Sequence, residues 1–341
     1  MFFFHTDRRL RRQRLHLEEK TMRNFIGIDI GGTNIAVGVV AEDGSMIKKL
    51  SVPTGAARGQ DALVEDIVAA VKAVLELAGM TLSDISSIGI GVPGAVTPDG
   101  VVINAVNLGW KHVPLADILS NALGLPVYLG NDADCAALGE VVAGAGSNCN
   151  SALMITMGTG IGGGFIVNGK IFCGCTGQGT EPGHFTFCYG GEPCGCGKRG
   201  CYEAYASATA LIRQTKRAME QNPDSKMWAL VDGDIDKVNG KVPFDAAKLD
   251  DATAQAVVAQ YIDYLAMGIV GLVDSFRPEL VIMGGGICNQ GDYLMIPLNE
   301  AIRKYSYASD EITPPPAVRA TLGNDAGIIG AAALQMSQEQ K

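Results

Sequence analysis

The sequence lacks the segments that mark membrane-bound and secreted proteins. Its 341 residues contain no apolar run approaching the roughly 18 residues of a membrane helix, so we expect a soluble chain without membrane contact. The first residues place an apolar patch before five arginines within 8–14, the reverse of the order in a signal peptide. We predict that residues 1–22 form a disordered leader; a membrane-surface or nucleic-acid arm is the weaker alternative.

Charged residues are also few, at 18% of the chain against 47% apolar residues, a balance typical of a packed core rather than of disorder. The formal net charge of −9 repels phosphate backbones and argues against a nucleic-acid partner. Nine cysteines, an odd number, argue against a secreted disulfide framework and favour a cytoplasmic protein. The length predicts about two domains.

Glycine is abundant, with 44 residues, and it clusters in short loops where backbone N–H groups can approach a ligand. Gly158, Gly160 and Gly163 match the G-x-G-x-x-G pattern of dinucleotide-binding folds. That pattern requires a following helix, whereas Asn168-Gly169 predicts a hairpin turn between two strands. We therefore exclude a Rossmann site, and the absence of G-x-x-x-x-G-K-[ST] excludes a P-loop.

Two glycine loops and a glycine triplet remain as candidates for a nucleotide site. Residues 29–34 and 158–164 each follow a predicted strand, and residues 284–286 follow a third. Such loops can form anion nests around the phosphates of ATP, although either loop alone could be an ordinary tight turn. Asp29, at the start of its loop, could hold Mg²⁺ or simply cap the turn.

One histidine and three cysteines lie within a single loop: His184, Cys194, Cys196 and Cys201. They supply the four nitrogen and sulfur ligands of tetrahedral Zn²⁺, and the glycines between them let the loop fold tightly. Unligated thiols or a redox C-x-C pair are the alternative. A closed set of four protein ligands leaves no open position, so we expect the zinc to be structural.

A candidate catalytic carboxylate lies in Asn131-Asp132, where a predicted strand meets a predicted helix. A carboxylate at this junction can reach into a cleft and take a proton from an alcohol, as phosphoryl transfer to a hydroxyl requires. For an isolated Asn-Asp pair, capping of the helix N-terminus is the ordinary alternative.

The apolar pattern predicts an α/β protein in which each half opens with strand, glycine loop, strand, hairpin turn and strand. This internal echo suggests two related domains facing each other across a cleft. Strands are predicted within 25–40, 46–52, 85–92, 127–129, 152–157, 165–167, 170–172, 280–283 and 318–322. Helices are predicted over 60–78, 115–123, 134–143, 205–222, 252–276 and 326–336, with 223–246 irregular.

Four segments carry a family resemblance. They are 27–34 (GIDIGGTN), 130–133 (GNDA), 181–184 (EPGH) and 194–203 (CGCGKRGCYE). The chain resembles the ROK family of repressors, uncharacterised frames and sugar kinases, and within it the bacterial ATP-dependent glucokinases. The combination of E-x-G-H with C-x-C-G-x-x-G-C-x-E is highly specific. The resemblance implies the actin-like ATPase (ribonuclease H-like) fold, with two αβ domains around a central cleft.

The resemblance also implies a reaction, the phosphorylation of glucose at its 6-hydroxyl by ATP with Mg²⁺. Asp132 is then the general base, and a structural zinc loop organises the sugar pocket. The implied sugar-binding residues are Gly94, Asn104, Asn131, Glu181, His184 and Glu203. The implied nucleotide-binding residues are Asp29, Gly31, Gly32, Thr33, Asn34, Gly158, Thr159, Gly160, Gly284, Gly285 and Gly286. Asp134 departs from the family pattern, in which Asn is common.

The implied domains are residues 23–143, completed by a C-terminal helix at 324–341, and residues 144–323 with the zinc loop 184–201. The resemblance favours a homodimer. Two alternatives remain: the same chemistry on N-acetylglucosamine, N-acetylmannosamine, fructose or mannose, and a sugar-responsive transcriptional regulator. Only about 24 residues precede the first glycine motif, too few for the DNA-binding domain of the ROK repressors.

Overall fold

The computed structural model describes residues 22–175 and 177–339. The leader predicted for residues 1–22 lies outside these described residues, apart from Met22. The strands are β1 (Asn24–Ile30), β2 (Asn34–Ala41), β3 (Met46–Pro53), β4 (Ile85–Val92), β5 (Ala95–Val96), β6 (Val102–Ala105), β7 (Trp110–Val113), β8 (Val127–Asn131), β9 (Ser151–Met157), β10 (Ile161–Val167), β11 (Lys170–Ile171), β12 (Leu280–Gly284) and β13 (Ala317–Arg319). The helices are α1 (Gln60–Ala78), α2 (Leu115–Leu123), α3 (Asp132–Ala143), α4 (Glu203–Ala206), α5 (Ala208–Gln221), α6 (Met227–Leu230), α7 (Val242–Ala247), α8 (Ala252–Phe276), α9 (Asp292–Tyr305), α10 (Asp325–Ala332) and α11 (Leu334–Glu339).

Two five-stranded sheets share one topology. The first has the order β3-β2-β1-β4-β8 and the second the order β11-β10-β9-β12-β13. In each sheet an antiparallel meander of three strands is extended by two parallel strands. This repeated order agrees with the echo between the two halves of the sequence, because each meander has a glycine loop between its first two strands.

Several elements have the bounds that the apolar pattern predicts, namely α1, α2, α8 and β4. In α1 the buried residues include Leu63, Ile67 and Val74, which share one face at three- and four-residue spacing. The helix ends at Gly79, whose φ of 66° is the left-handed conformation that terminates helices. Local periodicity therefore predicts these elements well, because each helix has one buried face and the strand is buried along almost its whole length.

Helices α3 and α10 pack against each other between the two sheets. α10 also contacts β1 and β4 of the first sheet, and α3 contacts β10 of the second. A Cβ at Gly330 would lie 1.6 Å from the carbonyl oxygen of Cys135, and one at Gly139 would lie 2.1 Å from that of Ala326. Only glycine permits so close an approach of the two backbones.

The first sheet leaves room for α10 in the same way. A Cβ at Gly27 would lie 1.9 Å from the carbonyl oxygen of Ile328, and one at Gly89 would lie 1.7 Å from that of Ala331. The backbone of α10 therefore lies directly on β1 and β4. This packing holds the end of β1 and the start of α3 in one rigid unit.

Two predictions about the second half are wrong. The single helix expected over 205–222 is two helices, α4 and α5, because Ser207 leaves the helical conformation and caps α5 with its side chain. Residues 223–246 are not irregular but contain α6 and α7. Met227 and Phe244 from these short helices are fully buried in the core of the second sheet.

The structure also contains an interruption in a predicted helix, one helix that was not predicted and one sheet that was not predicted. The C-terminal helix expected over 326–336 is interrupted at Ala333, which separates α10 from α11. Helix α9 was not predicted, and Pro297 inside it interrupts the helical signal. The third sheet, of order β5-β6-β7, was not predicted either. Its strands have two to four residues, too few for a periodic pattern.

Helix α8 corrects the expectation that no segment is long and apolar enough to cross a membrane. Its 25 residues pass that test by length and composition. However, 56% of its most apolar window is buried inside the protein, and α8 packs against α5, α7 and α9. A buried core helix of a globular domain can be as apolar as a membrane-spanning helix. The packing of α8 inside the protein therefore accounts for its apolar composition.

The glycine contacts of α10 generate a prediction about stability. Gly330→Ala should destabilise the protein by about 2 kcal/mol or more, because the added methyl group overlaps the backbone of α3. The matched control is Gly271→Ala, an exposed position in α8 with open space around it, where alanine should stabilise by up to ~1 kcal/mol. Thermal unfolding followed by circular dichroism measures both; equal midpoints for the two variants would contradict the packing described.

Candidate active site

The carboxyl ends of the parallel strands of the first sheet bring the predicted base and the predicted metal ligand to one edge. In the strand register Asp29 of β1 lies opposite Gly91 of β4, and Val92 lies opposite Asn131 of β8. Parallel strands end at the same edge, which is where open α/β sheets bind ligands. Asp132, the residue after Asn131, therefore starts α3 close to Asp29.

The N-terminus of α3 shows which residue of the Asn-Asp pair caps the helix. The side-chain oxygen of Asn131 accepts hydrogen bonds from the backbone N–H of Ala133 at 2.8 Å and of Asp134 at 3.2 Å. Asn131 is thus the helix cap. The carboxyl of Asp132 accepts from the N–H of Ala133 at 2.9 Å but is not needed as the cap.

Three carboxyls around this edge are shifted toward their protonated form. Burial and the charge of Asp132 raise the pKa of Asp29 to about 6. Burial also raises the pKa of Asp132, against the N–H of Ala133, which favours its charged form. Desolvation raises the pKa of Glu181 too; the charge of His184 opposes this shift and that of Asp132 adds to it. Such a cluster is typical of a site prepared to bind cations or to move protons.

The second glycine loop and the glycine triplet meet in one cavity of about 410 Å³. Gly284 ends β12 beside Thr156, so the triplet follows a strand, as predicted. Gly285 has a φ of 95°, and a Cβ there would lie 2.1 Å from the carbonyl oxygen of Met157. Thr159 is exposed at the tip of the loop. The cavity is lined by Thr156, Met157, Gly158, Gly160, Ile161, Gly162, Glu203, Gly285 and Gly286.

The first glycine loop lies elsewhere, at the turn between β1 and β2. The N–H of Gly31 donates to the carbonyl oxygen of Asn34 at 2.9 Å, and the hydroxyl of Thr54 donates to the carbonyl oxygen of Gly31 at 2.6 Å. Gly32, Thr33 and Asn34 are exposed. The loop therefore belongs to the edge that carries Asp29, and its residues do not line the cavity of the second loop.

The four predicted zinc ligands are brought together. One ligand atom from each of His184, Cys194, Cys196 and Cys201 lies within 4.8 Å of the other three. The Cys196 and Cys201 sulfurs are 3.6 Å apart, and Nδ1 of His184 is 3.7 Å from the Cys194 sulfur. Tetrahedral Zn–S bonds of about 2.3 Å place two sulfurs about 3.8 Å apart, so the donor set and its spacing fit Zn²⁺.

Glu203 connects the cysteine cluster with the second glycine loop. One carboxylate oxygen accepts from the N–H of Ile161 at 2.9 Å and the other from the thiol of Cys194 at 3.5 Å. A Cβ at Gly160 would lie 2.0 Å from the first of these oxygens. The N–H of Glu203 donates to the carbonyl oxygen of Gly183 at 2.9 Å, next to His184. No sequence signal predicts this link, because its partners lie in three different segments, 9 to 43 residues away.

The remaining predicted sugar residues form a short chain of contacts. The side-chain amide of Asn131 donates to the carbonyl oxygen of Gly94 at 3.3 Å. A Cβ at Gly94 would lie 2.2 Å from the carbonyl oxygen of Asn104, which is exposed on β6. The N–H of His184 donates to the carbonyl oxygen of Glu181 at 3.0 Å. The third sheet thus borders the edge that carries the base.

Comparison with known proteins shows the family of the chain. A model of the ROK family matches residues 25–338. The glucokinase of Halalkalibacterium halodurans is 38% identical over 323 residues, which cover 93% of this chain and 96% of that protein. The chain belongs to the ROK family. The glucokinase of Thermotoga maritima is 37% identical over 312 residues, with 91% of this chain and 96% of that protein covered.

Solved structures of ROK proteins share the fold. The crystal structure of a ROK family glucokinase from Streptomyces griseus, in complex with glucose and AMPPNP, has a TM-score of 0.74 and 36% identity, covering 91% of this chain and 98% of that chain. The ROK hexokinase of Thermus thermophilus has a TM-score of 0.77 and 35% identity, covering 91% and 97%. The predicted actin-like ATPase fold is confirmed.

The raised pKa of Asp29 generates a prediction about the pH dependence of stability in this ROK protein. Between its ordinary pKa near 4 and about 6, the folded state binds more protons than the unfolded chain, so this carboxyl lowers stability as the pH rises through that window. Asp29→Asn should therefore be more stable than the parent at pH 8, by on the order of 1–3 kcal/mol, and the difference should shrink toward pH 4.

The measurement is thermal unfolding of the apoprotein at pH 4, 6 and 8. The control is Asp310→Asn, an exposed carboxyl far along the chain, which should leave the pH dependence unchanged. A stability difference for Asp29→Asn that is the same at all three pH values would contradict the burial described.

Proposed function

We propose that the protein is an ATP-dependent glucokinase that transfers the γ-phosphoryl group of ATP to the 6-hydroxyl of glucose, giving glucose 6-phosphate. The observation that carries this proposal is the position of Asp132. Its carboxyl starts α3 at the edge shared with Asp29, while Asn131 does the capping. Asp132 takes the proton of the 6-hydroxyl as the oxygen attacks phosphorus. The glucokinases at 37% and 38% identity support glucose as the acceptor.

The sugar is held by carboxylates and amides around Asp132, because a pyranose offers paired hydroxyl donors and acceptors. Glu181, whose pKa lies above its ordinary value, and Glu203 accept from hydroxyls. His184 uses Nδ1 toward the cysteine cluster and presents the rest of its ring to the sugar. The residues that we assign to the sugar are Gly94, Asn104, Asn131, Glu181, His184 and Glu203.

The two glycine loops would hold ATP, and Asp29 would hold its Mg²⁺. Backbone N–H groups of the loops would donate to the phosphates, and the glycine triplet would contact the nucleoside. The raised pKa of Asp29 supports its metal role, because a cation relieves the repulsion from Asp132. Mg²⁺ supplies charge neutralisation on the transferred phosphoryl group. The residues that we assign to Mg-ATP are Asp29, Gly31, Gly32, Thr33, Asn34, Gly158, Thr159, Gly160, Gly284, Gly285 and Gly286.

The cysteine cluster holds a structural Zn²⁺ through His184, Cys194, Cys196 and Cys201. With four protein ligands the ion has no open position for catalysis. The ion would hold the ring of His184 in place. The N–H of Glu203 donates to the carbonyl oxygen of Gly183, next to His184, and the carboxylate of Glu203 accepts from the N–H of Ile161, so the same contacts would support the second glycine loop. The zinc loop therefore orients residues of the sugar pocket without itself taking part in the reaction.

Closure of two domains completes the site. We assign residues 23–143, with the C-terminal helix 324–341, to one domain and residues 144–323 to the other. Closing the cleft excludes water and aligns the 6-hydroxyl with ATP, which limits wasteful hydrolysis. We keep the homodimer and the cytoplasmic location as predictions. None of the nine cysteines is paired in a disulfide, which agrees with a reducing compartment.

Activity on a sugar panel tests the proposal. ADP release with Mg-ATP is measured for glucose, fructose, mannose, N-acetylglucosamine and N-acetylmannosamine. A kcat/KM for glucose about tenfold or more above every other sugar is the expected result, a transition-state difference of about 1.4 kcal/mol. If kcat/KM is highest for another sugar, the protein is still a sugar kinase, but glucose is not its preferred substrate. No turnover on any sugar by folded, zinc-loaded protein would overturn the enzyme and favour a sugar-responsive regulator.

Asp132→Asn tests the base. The variant should lose kcat by a factor on the order of 10²–10⁴, because the amide cannot accept the proton, while the Kd for glucose changes little. The isosteric amide preserves the start of α3, which circular dichroism verifies. A kcat within about twofold of the parent would remove Asp132 from the mechanism.

Metal content and metal removal test the zinc loop. The protein should contain one zinc per chain, and Cys196→Ser should lose most of it, unfold at a lower temperature and raise KM for glucose more than it lowers kcat. Cys175→Ser, an exposed thiol outside the cluster, is the matched control. Full zinc content in Cys196→Ser would show that the cluster is not the site.

A further inference from the structure

One buried carboxyl of the site has no role in the proposed mechanism. Asp134 follows the base by two residues on α3, and only 4% of its surface is exposed. Its Oδ1 has no hydrogen-bond partner among the described residues. Asp134 lies in the wall of a cavity of about 700 Å³ that Asn131 also lines. An unpaired buried carboxyl oxygen is costly, so its retention calls for an explanation.

The loop that leads to Glu181 lies directly against this carboxyl. A Cβ at Gly179 would lie 2.7 Å from Oδ2 of Asp134, and one at Gly164 would lie 2.9 Å from Oδ1. The next residue of the loop, Thr180, has a hydroxyl oxygen that is also buried and without a partner among the described residues. Two unsatisfied polar groups therefore lie on adjoining segments, one two residues after Asp132 and the other directly before Glu181.

The charges around Asp134 favour its protonated form. Burial raises its pKa to about 7, and the charges of Glu181 and Asp132 add to the shift. Near neutral pH a large fraction of Asp134 therefore carries a proton that it can donate. The titratable or charged groups that face it are Asp132 and Cys135 on α3, Cys173 and Glu181 on the loop, and Lys170 on β11.

We propose that Asp134 is a positioning residue: its carboxyl, whose Oδ1 has no partner among the described residues, turns when protonated to donate a hydrogen bond to the hydroxyl of Thr180 and so holds the Glu181 loop against α3. The inference deepens the proposed function and rests on it. An ionised Asp134 could accept from the same hydroxyl, but its charge then repels Glu181, the next residue along the loop. Loss of the proton therefore loosens the loop, and the affinity for sugar falls as the pH rises.

The test is the Kd for glucose, measured by calorimetry from pH 6 to pH 8.5 without ATP. In the parent protein the Kd should rise about threefold or more over this range. Asp134→Asn should keep a low Kd for glucose over the whole pH range, because its amide donates a hydrogen bond at every pH. Thr180→Val removes the acceptor of that hydrogen bond, so its Kd for glucose should already be high at pH 6. Asp292→Asn, an exposed carboxyl at the start of α9, is the control and should follow the parent.

A parent Kd that does not change with pH, or an equal pH dependence in Asp134→Asn, would overturn the inference while leaving the kinase in place. If no sugar is bound or phosphorylated, the proposed function fails, and hydrogen exchange of residues 177–183, corrected for the intrinsic rate, decides the inference separately. Protection that falls between pH 6 and pH 8.5 in the parent but not in Asp134→Asn supports the contact. Identical protection in both proteins overturns it.

Discussion

The contact between the backbones of α3 and α10 is the constraint on which the rest of the structure depends. Gly330 and Gly139 let the two helices touch without intervening side chains, and Gly27 and Gly89 let α10 lie on the first sheet. α3 also packs on β10, so one helix pair joins both five-stranded sheets. Because interiors are close-packed and transmit strain, the start of α3, where Asp132 lies, has little freedom to move.

This packing creates the electrostatic character of the site. Asp29, Asp132 and Asp134 are brought together at a desolvated edge, and each has a pKa above its ordinary value. Gathering like charges in this way costs stability in the unliganded protein. A cation or hydroxyl donors bound at this edge would offset the cost, because either would supply partners for the carboxylates.

The loop that carries the His/Cys cluster and the second glycine loop are joined through Glu203. Its carboxylate contacts the N–H of Ile161 on one side and the thiol of Cys194 on the other. One residue thus joins the loop of the His/Cys cluster to the second glycine loop. The order of the second glycine loop therefore depends on the order of the cluster, in the way that outer-shell contacts connect metal sites with their surroundings.

The amino-acid sequence by itself determined the elements with strong periodicity, such as α1 and α8, the glycine loops, and the ligand set around His184, because these depend on local patterning and residue type. It did not determine the break at Ser207, the burial of Met227 and Phe244, or helix α9, since distant packing decides these. Only the tertiary structure showed that Asn131 caps α3 and leaves Asp132 free of that role, and only it placed Asp134 beside Gly179. Those facts depend on backbones approaching within a van der Waals contact across segments far apart in the chain, and no local pattern encodes such distances.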